Sequence, residues 1–144
     1  MAGAGTDDTP LRPLERVLET VLYVDDLDAA ERFYGGILGL QRVSRRDGLF
    51  LFFRLRRQML LLFLPEAAAE NRALPPHGAR GPGHVCFEIP EAELDGWRAH
   101  LERHGIAVEH LQNWPGGGRS LYFRDPAGNS VELAPASIWG LGEG

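Results

Sequence analysis

The residues best suited to chemistry lie at matching points of two similar stretches of this chain. The beginnings of the two stretches align so that Glu19 corresponds to His84, and their ends align so that Leu62 corresponds to Glu132. Carboxylates and imidazoles are ligands for divalent metal ions, whereas a leucine side chain is not. We therefore take Glu19, His84 and Glu132 as candidate metal ligands, and we expect all four positions to share one face of the fold.

Strand alternation predicts which way these side chains point, because successive side chains of a β-strand lie on opposite faces. In residues 84–89 the apolar side chains Val85, Phe87 and Ile89 alternate with His84 and Cys86. We expect the apolar set to pack beneath the helices and His84 to lie on the opposite, concave face. The same alternation predicts that the two candidate carboxylates lie on that concave face. Cys86 is expected to behave as a small buried hydrophobe.

Four further side chains are candidate substrate contacts. Tyr122 alternates with residues that should face the helices, so its ring is predicted to point into the concave side. Tyr23 and Trp114 would supply further aromatic walls for a ligand. Arg119 follows three glycines and would orient an anionic substrate. The alternative interpretation of Arg119 is an ordinary arginine at the end of a hairpin.

The first half of the chain has the pattern of a strand, a helix and a hairpin. Residues 18–24 are apolar and β-branched, which predicts a strand. Residues 25–38 begin with N-cap candidates and have apolar side chains at helical spacing, and Gly39 is a natural stop. Residues 49–55 and 59–64 are two apolar runs with a short polar break, which predicts a β-hairpin.

The second half repeats this order. Residues 85–89 predict a strand and residues 91–103 a helix. Residues 106–108 are the expected start of a further strand. Residues 119–124 and 130–134 are predicted strands on either side of an Asp-Pro-Ala-Gly-Asn turn. Each half therefore has the predicted order β-α-β-β-β. We predict one domain at 14–136, with tails at 1–13 and 137–144. The domain is built from a module at 14–65, a linker at 66–82 and a module at 83–136.

Composition excludes several classes of protein. The chain has 144 residues with 15 Lys and Arg against 20 Asp and Glu, a net charge of −5, which argues against a nucleic-acid binder. Its longest apolar run, residues 59–64, is too short to span a membrane. The first residues lack the apolar stretch of a secretory signal, so we expect a cytoplasmic protein. A single cysteine, Cys86, excludes an internal disulfide and a multi-cysteine zinc site.

The layout resembles the vicinal oxygen chelate superfamily, which includes glyoxalase I, bleomycin-resistance proteins, fosfomycin-resistance enzymes and extradiol dioxygenases. The resemblance rests on residues 24–34, 38–40, 83–88 and 121–133, and it extends over roughly residues 16–136. It implies an α+β fold of two tandem βαβββ modules, whose curled mixed sheets surround a cavity.

In metal-using members of this superfamily, the ligands come from the first and last strands of each half. The resemblance therefore implies Glu19, His84 and Glu132 as ligands, with Leu62 at the position that three-ligand members also leave empty. The first ligand is usually a histidine in the family, so Glu19 is a departure. Two carboxylates and one imidazole favour Mg, Mn or Fe(II), while Zn or Ni would also bind. An unligated Glu19 would instead serve as a general base, which makes it and Glu132 the candidate catalytic residues.

The resemblance leaves alternative functions open. The first hypothesis is a divalent-metal enzyme of lyase, isomerase or dioxygenase type, whose small substrate chelates the metal through neighbouring oxygens. The second is a metal-free protein of the bleomycin-resistance type that sequesters a hydrophobic or cationic small molecule, whose charge the acidic residues of the cavity would pair. The alternative interpretation of His84 itself is a strand-end histidine bonded to a carbonyl. A third, a fold-only subunit that binds a partner, has no sequence feature in its favour. We expect a homodimer, because the superfamily usually pairs chains and exposed sheet edges favour it.

Overall fold

The structure, a computed structural model, describes residues 10–142. The first half of the chain forms a four-stranded mixed sheet, sheet A, with the strand order β1-β4-β3-β2. Its first strand is parallel to its last, and the other neighbours are antiparallel. The strands are β1 (Glu19–Tyr23), β2 (Gln41–Arg46), β3 (Phe50–Arg54) and β4 (Met59–Phe63).

The second half forms a second sheet, sheet B, with the equivalent strand order β5-β8-β7-β6. Its first and last strands are again parallel neighbours. The strands are β5 (His84–Glu88), β6 (His110–Asn113), β7 (Arg119–Arg124) and β8 (Ser130–Ala134). The repeated topology confirms the predicted α+β fold of two similar modules, and the two sheets are not closed into a barrel.

The helix of the first half begins where the sequence predicts it, but its hydrogen-bond pattern changes from α-helical to π-helical along its length. The N-cap is Asp26, whose side chain accepts a 3.0 Å hydrogen bond from the amide of Ala29. The α-helix α1 (Leu27–Ala30) continues as a π-helical segment, Glu31–Ile37, in place of the single α-helix that we predicted. The segment ends before Gly39, whose φ of +78° fits the predicted stop.

The other helical elements are short. The helix α2 (Pro65–Glu70) lies in the segment predicted as a loop, where its alanines and its first-turn proline favour a helix. A 3₁₀ turn, Glu91–Glu93, leads into the helix α3 (Leu94–Arg103). A second 3₁₀ turn covers Ala136–Trp139. No helix within residues 10–142 is long and apolar enough to cross a membrane.

The two modules share one apolar core on the helix faces of their sheets. The first half contributes Leu22, Tyr34 and Phe53, and the second half contributes Leu101 and Phe123, each at most 4% exposed. Burial of large side chains is the main favourable contribution to folding. The modules are therefore held together through the faces that carry the helices, which leaves the opposite faces for binding.

Two strand predictions need correction. No strand was predicted at β2, because its sequence is mostly polar and lacks an apolar alternation; it is an exposed edge strand with a bulge between Arg42 and Ser44. Residues 106–108 were predicted to begin a strand, but the strand begins at His110. Ile106 and Val108 instead pack against the core as part of the loop after α3.

The predicted place of Leu62 is also wrong. Leu62 is fully buried in the shared core, opposite Leu22 in the β1–β4 register, so it does not lie on the concave face. A one-residue shift in register moves a strand side chain to the other face of the sheet. By register, Leu61 occupies in sheet A the place that Glu132 occupies in sheet B.

Candidate active site

The face of sheet B that points away from the core, predicted to be the concave face, carries a row of four polar side chains across its strands. The register places Cys86 opposite Glu132, Glu132 opposite Tyr122, and Tyr122 opposite His110. His84 lies two residues before Cys86 on the same face of β5. The predicted alternation is confirmed here, because Val85 and Phe87 pack against the core while this set points away from it.

The ring of His84 is fixed by a backbone carbonyl. Its Nδ1 donates a 3.1 Å hydrogen bond to the carbonyl oxygen of Ser130, because a carbonyl can only accept. Its Nε2 lies 3.3 Å from Oε1 of Glu132. A ring nitrogen and a carboxylate oxygen at this distance need a proton or a cation between them, because their lone pairs repel each other. Metal-binding histidines are typically held in this way, with the second ring nitrogen donating to a carbonyl.

Glu132 is a buried carboxylate with one unsatisfied oxygen. Its side chain is 7% exposed, and its Oε2 has no hydrogen-bond partner within residues 10–142. Leaving a buried charged oxygen unpaired costs several kcal/mol unless a positive group compensates it. Two ligands about 2.1 Å from one ion lie roughly 3.0–3.4 Å apart. The donor set and the spacing of His84 and Glu132 therefore fit a divalent cation.

Two predicted substrate contacts, Tyr122 and Trp114, belong to β7 and to the loop before it. The Tyr122 ring stacks on His84 with 6.2 Å between ring centroids and 22° between the planes. Desolvation is the largest cause that raises the pKa of the Tyr122 phenol, so its hydroxyl is a proton donor at neutral pH. Trp114 donates a 3.0 Å hydrogen bond from Nε1 to Oγ of Ser120, which shares a strand face with Tyr122. Tyr122 therefore lies beside His84, while Trp114 lies in the loop between β6 and β7 and is bonded to β7 through Ser120.

His110 also faces the site, and this position was not predicted from the sequence. Its ring lies 5.9 Å from that of Tyr122, and its Nε2 is 2.9 Å from Oε1 of Gln112. The residue was missed because its strand was predicted to begin earlier. Alternation counted back from Asn113, before the turn that leads to β7, would have found it.

Cys86 differs from its prediction as a buried hydrophobe, because it is exposed on the concave face. The pKa of its thiol is raised to about 12, first by desolvation and then by the negative charge of Glu132. The thiol is therefore protonated at neutral pH, and it is a weak nucleophile in this setting.

Glu19 does not join His84 and Glu132 within one chain. It lies exposed on β1 of sheet A, whereas the other two lie on sheet B. Within residues 10–142, no group of three or more His, Cys, Asp or Glu side chains is arranged to hold a metal ion. One chain therefore brings together two of the three candidate ligands.

Arg119 lies on the other face of β7. Arg119 shares its face of the strand with the buried Leu121, which packs in the core. The Arg119 guanidinium lies 3.7 Å from carboxylate oxygens of both Glu91 and Asp95. These partners belong to the segment that begins α3. The position agrees with the alternative interpretation, an ordinary arginine at the end of a hairpin, and gives no support to a contact with substrate at His84.

Tyr23 belongs to an aromatic cluster on the concave face of sheet A. Its hydroxyl lies 2.6 Å from Nδ1 of His77, whose ring packs edge-on against Phe63 at 4.7 Å. Phe50 and Phe52 stack nearby with 4.1 Å between their centroids. The concave face of sheet A is thus mostly apolar, while that of sheet B is polar.

Comparison with known proteins identifies the family. A profile of the Glyoxalase/Bleomycin resistance protein/Dioxygenase superfamily matches residues 16–133. A crystal structure of lactoylglutathione lyase from Agrobacterium tumefaciens is 47% identical, with a TM-score of 0.87, and the match covers 90% of this chain and 100% of that one. A glyoxalase/bleomycin resistance protein/dioxygenase from Nocardioides is 26% identical, with a TM-score of 0.69, covering 88% of this chain and 85% of that one. The resemblance inferred from the sequence is confirmed: the chain belongs to the Glyoxalase/Bleomycin resistance protein/Dioxygenase superfamily.

Proposed function

We propose that this protein is a divalent-metal-dependent enzyme of the glyoxalase type, a lyase or isomerase for a small substrate that chelates metal through neighbouring oxygens. The observation that carries the proposal is the pairing of His84 with Glu132. Nε2 of the imidazole lies 3.3 Å from one oxygen of a buried carboxylate, and the second carboxylate oxygen has no partner within the described residues. A cation held between them would satisfy both groups.

Each residue at this face has a defined role in the proposal. Nε2 of His84 and the carboxylate of Glu132 would hold the ion, which on ligand type would be Mn, Fe, Mg, Ni or Zn. When bound, a divalent ion polarises a chelated carbonyl and makes the neighbouring C–H bond more acidic. Tyr122, protonated at neutral pH, would donate a hydrogen bond to a substrate oxygen.

The third ligand in the proposal is Glu19 from a second copy of the chain. Glu19 is exposed on β1, which is an edge strand of sheet A, and neither sheet is closed into a barrel. A two-fold dimer would bring the concave face of sheet A of one copy onto that of sheet B of the other, and symmetry would create two equal sites. A Glu19 that does not bind the ion would lie close enough to act as the general base.

The first substrate to test is lactoylglutathione, because the crystal structure that is 47% identical is described as a lyase for it. Turnover of lactoylglutathione that requires added metal would place the protein in the lyase group. If only other chelating substrates are turned over, the proposed metal site stands and the proposed substrate is wrong.

The deciding experiment is elemental analysis of gently purified protein, followed by titration with each divalent ion. We expect close to one ion per chain in the wild type and none in His84→Ala. The matched control is His110→Ala, which removes a histidine from the same sheet face and should retain the ion. Metal that persists in His84→Ala, or a wild type that takes up no ion, would reject the proposed site.

A second function, metal-free binding of a small molecule, is favoured by the aromatic face of sheet A. The stacked Phe50 and Phe52, together with Tyr23 and Phe63, would accommodate a flat apolar ligand. Such a protein would bind its ligand equally well in the presence of a chelator. Ligand screening with and without EDTA therefore separates the two functions.

A further inference from the structure

We infer that His100 and His104 form a binding site for Cu(II) at the C-terminal end of α3, separate from the pair of His84 and Glu132. His100 lies in the last turn of α3, and His104 is its C-cap residue. Side chains at positions i and i+4 of a helix lie one above the other on the same face. Two histidines at this spacing hold a metal ion together in helical zinc sites.

Each of the two rings is held at one nitrogen by a backbone carbonyl. Nε2 of His100 donates a 2.7 Å hydrogen bond to the carbonyl oxygen of Ile37. Nδ1 of His104 donates a 2.8 Å hydrogen bond to the carbonyl oxygen of His100. Within residues 10–142 the second nitrogen of each ring has no hydrogen-bond partner. Histidines that bind metals typically donate one ring nitrogen to a carbonyl in this way and bind the ion with the other.

The separation of the two rings fits one shared copper ion. Their centroids lie 4.5 Å apart, with 48° between the planes. An imidazole nitrogen bonds a divalent ion at about 2.0 Å, which puts the ring centroid roughly 3.2 Å from the ion. Two such rings at neighbouring positions of a tetragonal ion, about 90° apart, have centroids about 4.5 Å from each other. The pair therefore has the ring spacing that a shared Cu(II) ion requires.

Ligand type selects copper over the ions proposed for His84 and Glu132. Imidazole suits copper, and among the first-row divalent metals Cu(II) binds a given site most tightly. No third His, Cys, Asp or Glu of residues 10–142 joins the two rings in a metal-binding group, so Mg and Mn find no carboxylate ligand here. The partial negative charge at the C-terminal end of a helix also favours a bound cation.

The test titrates CuCl2 into His84→Ala protein, in which the proposed catalytic metal site has lost its histidine. We expect titration calorimetry to show one Cu(II) per chain. The fluorescence of Trp97 should be quenched, because its ring lies 5.4 Å from that of His100 and bound Cu(II) quenches a nearby indole. Zn(II) should bind the pair about 100-fold more weakly or less tightly still, since it lies below copper in the order of affinities.

His100→Gln and His104→Gln should each weaken copper binding by about 100-fold or more, the advantage that two linked ligands have over one. Glutamine is chosen because its amide still donates a hydrogen bond to the carbonyl but offers no imidazole nitrogen. The matched control is His110→Gln, which removes an exposed histidine of β6 and should leave the copper affinity unchanged. Unchanged affinity in a folded His104→Gln protein would overturn the inference, as would equal affinity for Zn(II) and Cu(II).

Electron paramagnetic resonance of the Cu(II)-loaded His84→Ala protein tests the site without any change to the pair. Two bound imidazoles are expected in the spectrum, and one or none would overturn the inference even if neither glutamine variant folds. The inference and the proposed function can fail separately. His104→Gln leaves His84 and Glu132 in place, and His84→Ala leaves His100 and His104 in place.

Discussion

The hydroxyl of Tyr34 donates a 2.8 Å hydrogen bond to Oδ2 of Asp125, and the two residues are 91 positions apart in the chain. Tyr34 lies in the helical segment of the first module, and Asp125 begins the turn before β8 in the second. Both are buried, at 0% and 4% exposure. Burial, followed by the negative charge of Asp125, raises the pKa of the Tyr34 phenol, so the proton remains on Tyr34. This bond joins the helical segment of the first module to the turn that leads into β8, the strand that carries Glu132.

Tyr34→Phe should destabilise the protein without altering its fold. The variant leaves a buried carboxylate oxygen of Asp125 with one hydrogen bond fewer, and hydrogen bonds to charged groups contribute about 1.5–3 kcal/mol. For a chain of this size, the melting temperature should fall by roughly 3 °C for each kcal/mol lost. Denaturant unfolding of the metal-free protein gives the change in the free energy of unfolding.

Tyr23→Phe is the matched control for that measurement. It removes a tyrosine hydroxyl that bonds to the exposed His77, where water can replace the partner. Its cost should be less than about 1 kcal/mol. Equal losses in the two variants would show that the contact between Tyr34 and Asp125 does not contribute specially to stability.

The Asp-Pro-Ala-Gly-Asn motif shows how far local sequence information reaches. Its residue types predicted a turn, and the turn is present, with Oδ1 of Asp125 accepting from the amides of Ala127 and Asn129. The bonds from this turn to Tyr34 and to the backbone of Tyr23 were not predicted. Such contacts depend on how the modules pack, and a turn sequence carries no information about that.

For the candidate site, the sequence likewise predicted positions within one sheet but not the relation between the two sheets. Alternation in β5 and β8 placed His84 and Glu132 on one face, because apolar residues fix the opposite face to the core. Leu62 was assigned to the wrong face because two apolar runs can be aligned equally well with an offset of one residue, and one residue changes the face. The relation of Glu19 to the other two could not be predicted, since residues in different sheets have no common register.

Glu132→Gln should have opposite effects on the metal-free and the metal-loaded protein. In the absence of metal, the change removes a buried charge with an unpaired oxygen while keeping the shape, so stability should rise by up to about 2 kcal/mol. Added divalent ions should raise the melting temperature of the wild type and leave that of the variant unchanged. A variant that is less stable than metal-free wild type, or that is stabilised equally by metal, contradicts the assignment of Glu132 as a ligand.

Mixing Glu19→Gln with Glu132→Gln tests whether the site is assembled from two chains. Differently tagged variants are co-expressed, and mixed dimers are isolated by successive affinity steps. If Glu19 completes the partner's pair of His84 and Glu132, each mixed dimer has one intact site and should hold about half the wild-type metal per chain. Dimers of either variant alone should hold none. Full metal in dimers of Glu19→Gln alone would place Glu19 outside the site, and no metal in the mixed dimers would mean that Glu19 serves the site of its own chain. Recovery of no mixed dimers would exclude the dimer.

The reactivity of Cys86 reports the charge of Glu132 without any ligand. A pKa of about 12 leaves far less thiolate at pH 8 than the ordinary cysteine value of ~8.5, so alkylation of metal-free protein should be slower by about a thousandfold. Since only the thiolate reacts, the rate should rise about tenfold per pH unit from pH 8 to 11. Glu132→Gln removes one of the causes that raise this pKa, and should speed alkylation at every pH in that range.

Iodoacetamide kinetics followed by mass spectrometry measure the rate at this single cysteine, with urea-unfolded protein as the reference. A folded rate equal to the unfolded one, or no change on Glu132→Gln, would mean that the carboxylate does not impose its charge on this face.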